Sequence, residues 1–140
     1  MSNELPLGLA LLICDQIIED RFTGKRSLIG LFDGLSSLQF PCVHPVMNVV
    51  IEMTNVRGKQ ACRLLCKHAD GDLTAFDARG DVDCPNPNQV VQLVFGFKNL
   101  RFEKAGTYWL SLLVDDAPVM SRPLAILQLP PRPQQSPPPS

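Results

Sequence analysis

The sequence predicts an all-β protein whose strands pack in two layers. Three observations carry that expectation. Short apolar runs alternate with Gly-, Pro-, Asn- and Asp-rich turn signals along most of the chain. Helical spacing of apolar residues is hard to find. Several runs set apolar residues on one face by alternation, as in Met47, Val49, Ile51 and Met53, or Tyr108, Leu110, Leu112 and Val114. The 140 residues suit one domain, and 45% of them are apolar, so a core can form.

The apolar run Leu7–Ile17 opens the fold, with a first strand from Leu9 to Ile18. A secretory signal is the rival reading of this run. Met1-Ser2-Asn3-Glu4 carries no Lys or Arg, however, and Asp15-Gln16 offers no small-residue cleavage site. The run also falls well short of the roughly 20 residues that span a bilayer. A buried strand in a cytoplasmic protein, away from membranes, is therefore expected.

Gly24 permits the turn at Arg21–Lys25, and the second strand, Ser27–Phe32, follows. That strand is apolar at nearly every position, which predicts a central place buried on both faces. Ser36–Pro45 carries Phe40-Pro41 and His44-Pro45. Each proline removes a ladder donor and extends its predecessor, so the segment reads as a loop crossing between sheets.

The third strand is Val46–Met53. Asn55–Gly58 turns the chain into the fourth, Gln60–His68. Asp70-Gly71 then predicts a tight primed hairpin into the fifth strand, Leu73–Ala78. Residues 79–89 contain Gly80, Pro85 and Pro87 and read as a loop. The sixth strand is Val90–Phe97 and the seventh Thr107–Val114. Asp115–Pro118 turns into the eighth, Val119–Leu129, where Pro123 marks an edge or bulge.

About eight short strands suit an antiparallel sandwich, with a closed barrel as the alternative. The domain is expected over 1–129. Six of the 13 prolines fall in residues 130–140, which are expected to form a disordered tail sampling polyproline II.

Composition and motifs exclude several functions. A net charge of −1 gives no basic footprint for nucleic acid. The five cysteines, an odd number without an export signal, suit a reducing cytosol. Cys62 and Cys66 would lie about 13 Å apart on a strand, too far to share a zinc or a disulfide, so they read as small buried hydrophobes.

Gly24-Lys25 fails as a phosphate loop, because Glu19 and Arg26 occupy the positions that need Gly and Ser or Thr. His44 and His68 are the two imidazoles, and no G-x-S-x-G elbow accompanies them. The aspartates at 70, 72, 81 and 83 read as turn and loop chemistry rather than a calcium loop. Pro130-Pro131-Arg132-Pro133 holds a P-x-x-P, but an unstructured terminus accounts for it equally. No cofactor, metal or catalytic residue is predicted.

Phe102, Gly106 and Tyr108 form the most informative constellation. An apolar anchor, a glycine turn and a tyrosine two residues later mark the strand-entry corner of immunoglobulin-like sandwiches, where the hydroxyl bonds upstream backbone. Tyr108 and Gly106 are therefore assigned structural roles. Trp109 points to the opposite face. It is core if that face is covered, the preferred reading, and a contact residue if the face meets solvent. Phe40 and His44, in the Ser36–Pro45 loop, join it as possible contact residues. The loop Arg79–Gln89 is a second candidate surface.

Several of these segments resemble a bacterial family of small β-sandwich proteins of unknown function. The shared features are Cys14-Asp15, Gly24-Lys25, Ser27-Leu28-Ile29-Gly30-Leu31-Phe32-Asp33, Phe40-Pro41, the Phe102–Tyr108 corner and Pro123-Leu124. The resemblance covers roughly residues 9–128 and implies a sandwich without implying an activity. The expected function is a non-enzymatic accessory or protein-interaction module, with homo-oligomerisation left open. The alternatives are a small-ligand binder with a Phe- and Leu-lined cavity and a hydrolase using His44 or His68 with a loop carboxylate.

Overall fold

The structure, a computed structural model, describes residues 4–131. All regular structure among them is β, in nine strands: β1 (Leu7–Glu19), β2 (Arg26–Leu31), β3 (Gly34–Ser37), β4 (Cys42–Thr54), β5 (Gly58–His68), β6 (Thr74–Cys84), β7 (Val91–Phe102), β8 (Gly106–Val114) and β9 (Ala117–Gln128). They form two sheets, ordered β2-β1-β4-β7 and β3-β9-β8-β5-β6. No helix among the described residues is long and apolar enough to cross a membrane.

Alternation builds the core. Met47, Val49, Ile51 and Met53 of the first sheet meet Leu64, Cys66, Leu110, Leu112 and Leu124 of the second, all fully buried. Val91, Leu93, Phe95 and Phe97 pack at its margin, where Phe76 and Phe97 lie 4.2 Å apart between ring centroids.

Four expectations are corrected. First, the sheets are not wholly antiparallel. Gly34–Ser37, read as part of a turn and loop, is a ninth strand that runs parallel to β9, Leu35 opposite Ile126. Second, β2 is an edge strand and mostly exposed, not central. Its apolar run misleads because hydrophobicity alone does not report whether a layer covers the strand.

Third, the predicted loops are shorter. β4 starts at Cys42 and β6 runs to Cys84, leaving 38–41 and 85–90 between strands. Fourth, the 69–72 hairpin is not a primed two-residue turn. Only Gly71 there has positive φ, at 78°, and its N–H donates to His68 O. The primed geometry occurs instead at Asp115 and Asp116, with φ of 48° and 66°.

Pro123 lies on β9 where β3 has not yet begun to pair, so its missing N–H leaves no ladder bond unmade. Pro130 and Pro131 follow the last strand and are exposed. The rest of the predicted tail, 132–140, lies outside the described residues.

β1 serves two partners. Leu7–Cys14 pairs with β4 and Cys14–Glu19 with β2. A straight β1 would carry Glu19 about 30 Å beyond Ala10. Yet Arg26, paired with Glu19, donates through Nη1 to Gln92 Oε1, and Gln92 stands opposite Glu52, itself opposite Ala10. The β1–β2 arm therefore curls back across the outer face of the first sheet. Cys14 and Val50 are buried there although neither belongs to the core between the sheets.

Opposite β4, no strand pairs with Leu7–Ile13 among the described residues. β9 closes that seam with side chains. Met120 packs onto Gly8, where an added Cβ would meet its Cγ at 2.1 Å. Arg122 Nη1 donates to Leu11 O at 2.9 Å.

Candidate functional site

Two regions gather chemistry-bearing side chains. The first is the corner where β5 ends and β8 begins. Tyr108 is buried, and its Oη donates to Lys104 O at 2.8 Å. Its ring meets Phe102 and His68 edge-on, with centroids 5.2 and 5.0 Å away. Gly106 adopts φ 136°, and a Cβ there would stand 2.3 Å from His68 Nε2. The glycine is thus the space that the imidazole fills.

His68 is buried, and both ring nitrogens are engaged. Nδ1 accepts from the Asp70 N–H at 3.1 Å, so the proton sits on Nε2, which donates to Ala105 O at 3.1 Å. Asp70 Oδ2 and Asp72 Oδ1 lie 3.5 and 3.9 Å from Nδ1. His68, Asp70 and Asp72 offer one nitrogen and two oxygens within 4.8 Å of one another, a donor set sized for a cation.

The protein supplies that cation itself. Lys104 Nζ reaches Asp72 Oδ2 at 2.9 Å and Asp70 Oδ2 at 3.2 Å. Hydrogen bonding from Lys104 lowers the Asp72 carboxyl, and hydrogen bonds to Asp72 and Asp70 raise the ammonium. No Ser, Thr or Cys side chain hydrogen-bonds His68 among the described residues. Sequence reading placed Asp70 and Asp72 in a turn but missed Lys104, which lies 32 residues beyond Asp72 and carries no local signal for the bridge.

The second region is the outer face of the second sheet. Trp109 is 44% exposed there, between Lys67 and Pro123 in register. The core reading of Trp109 is thereby corrected: nothing covers this face among the described residues. Leu65 and Leu113, half-buried, continue the surface. Arg63 clasps Asp77 beside them, Nε to Oδ1 at 2.8 Å and Nη2 to Oδ2 at 2.7 Å.

Phe40 and His44 do not join Trp109. Phe40 packs half-buried against the core. His44 sits on β4 in the first sheet, opposite Leu100, with its ring edge-on to Phe32 at 5.6 Å. Its Nε2 is buried and meets no hydrogen-bond partner among the described residues.

All five cysteines are free thiols. Burial pushes Cys62 up to about 11 and Cys66 up to about 12, so both stay protonated and unreactive at neutral pH. Two grooves of about 500 and 400 Å³ open around β5 and β6, and charged side chains such as Arg79, Asp81 and Asp83 line them. They differ from the Phe- and Leu-lined cavity a small-ligand binder was expected to hold. A smaller slot of about 200 Å³ lies where β1, Phe32 and Arg122 meet.

The model of a family of unknown function (DUF6941) matches residues 9–127. No curated protein matches the chain.

Proposed function

The chain belongs to that family of unknown function, and from its geometry we propose that it acts without catalysis, by binding another protein through the outer face of the second sheet. The exposed indole of Trp109 carries this reading. A large aromatic on a rigid, hydrogen-bonded sheet offers contact area at little entropic cost, and such residues dominate binding energy where interfaces form. Lys67, Pro123 and Leu65 give it a mixed polar and apolar rim.

The hydrolase alternative draws no support from either histidine, since His68 is committed to backbone through both nitrogens and His44 faces the interior. A reducing, cytoplasmic setting is part of the reading, supported by the five unpaired thiols.

The finer fold reading is immunoglobulin-like. The orders β1-β4-β7 and β6-β5-β8-β9 support it, since strands A-B-E and C′-C-F-G follow one another in that way. The Tyr108 hydroxyl on Lys104 O, at the start of the F-like strand, supports it too.

A photo-crosslinking residue at position 109 tests the function, with Asn88, an exposed loop residue, as control. A discrete crosslinked partner at 109 and not at 88 is expected in the host cell. Equal or absent crosslinking at both overturns the reading. Trp109→Ala should change stability by only about 1 kcal/mol or less, so lost binding would not reflect unfolding.

A further inference from the structure

We propose that the slot between β1 and β9 binds a small aliphatic monocarboxylate, held by the Arg122 guanidinium. This goes beyond the protein-binding reading and is independent of Trp109. Arg122 stands opposite Leu110, so its side chain enters the seam between the sheets instead of leaving for solvent. Nη1 is used on Leu11 O, while Nε is buried with no partner.

No carboxylate lies within ion-pair reach of Arg122 among the described residues. A half-buried guanidinium with no carboxylate in contact and a buried, unpaired Nε is costly to hold. Arg63 shows a guanidinium of this same protein gripping a carboxylate, at 2.7 and 2.8 Å.

The slot's other walls define the ligand's body. Leu12, Ile13, Leu31 and Phe32 are apolar, and Asp33 lines the slot beside them. The volume of about 200 Å³ is below the usual range of about 300–1,000 Å³ for drug-sized ligands, so it suits a short chain. Asp33 shares the slot, and its charge opposes a dianion such as phosphate more strongly than a monocarboxylate.

Amide NMR spectra of the full chain, titrated at fixed ionic strength with sodium pentanoate, pentanamide and inorganic phosphate, test this. Pentanoate should shift the amides of Leu12, Leu31 and Phe32 saturably, and the other two probes should not. Arg122→Gln should weaken the pentanoate response about tenfold or more. Since Arg122 also holds Leu11 O, that variant risks unfolding. Leu31→Trp, at a position 59% exposed, obstructs the slot without touching that bond and should abolish the response. The proposal is overturned if pentanoate produces no saturable shift at the slot, if pentanamide or phosphate does as well, or if the response survives in Leu31→Trp.

Discussion

Tyr108 and its neighbours fix the corner through bonds that single substitutions can remove. Tyr108→Phe leaves the Lys104 carbonyl without its donor and should cost about 1 kcal/mol, read as a lowered melting temperature; an unchanged Tm would deny the bond its weight. Gly106→Ala should cost more, about 1–3 kcal/mol, because a methyl must displace His68 from a backbone held at positive φ. The charged residues add a pH signature. Hydrogen bonds from Lys104 and Arg63 lower the Asp72 and Asp77 carboxyls below their usual 3.8. Their stabilisation is therefore complete above that value and lost as pH falls through the lower folded-state values. The gap in melting temperature between the parent and Lys104→Met should be present at neutral pH and close below about pH 4. A gap that persists in strong acid would show that Lys104 stabilises by packing instead. Tyr108 was legible because its motif is local. Lys104 was not, because a bridge to residues far back in sequence leaves no spacing to read.

Strands with one buried face were the most readable elements, since alternation reports burial directly. β8 follows it residue by residue, and β4 does so on its inner face, with Val50 buried on the outer one as well. β2 defeats the same logic, because an apolar run reads as central whether or not anything covers it. β3 is only four residues long and gains its hydrogen bonds from a strand about ninety positions away, so no local pattern announces it. The β8–β9 hairpin invites a stabilising change. Asp115 accepts from Ala61 N at 3.0 Å and should be kept, but Asp116 holds φ 66°. Asp116→Gly should raise stability by up to about 1 kcal/mol, checked by denaturant midpoint. On β5, Cys62 and Cys66 should resist a thiol reagent at about pH 8 until the protein unfolds; labelling at the rate of a free thiol would place them outside the core.

The whole molecule is held by two sheets whose edges receive different treatment. One seam is filled by Met120 and Arg122, and an arm folds over the first sheet. Neither feature has a sequence periodicity, so the sandwich was legible and its closures were not. Strand pairing ends at Gln128, and Leu129 N still donates to Ser37 O at 2.8 Å. Removing residues 132–140 should accordingly shift the melting temperature by less than about 4 °C, a larger fall meaning that those residues dock. The parallel pairing of β3 with β9 has a consequence for biosynthesis. β9 separates β3 from β8, so residues 34–37 have no sheet to join until residue 128 has left the ribosome. Leu35 and its neighbours must wait unpaired until the last strand arrives, although β1, β2 and β4 can already pair with one another.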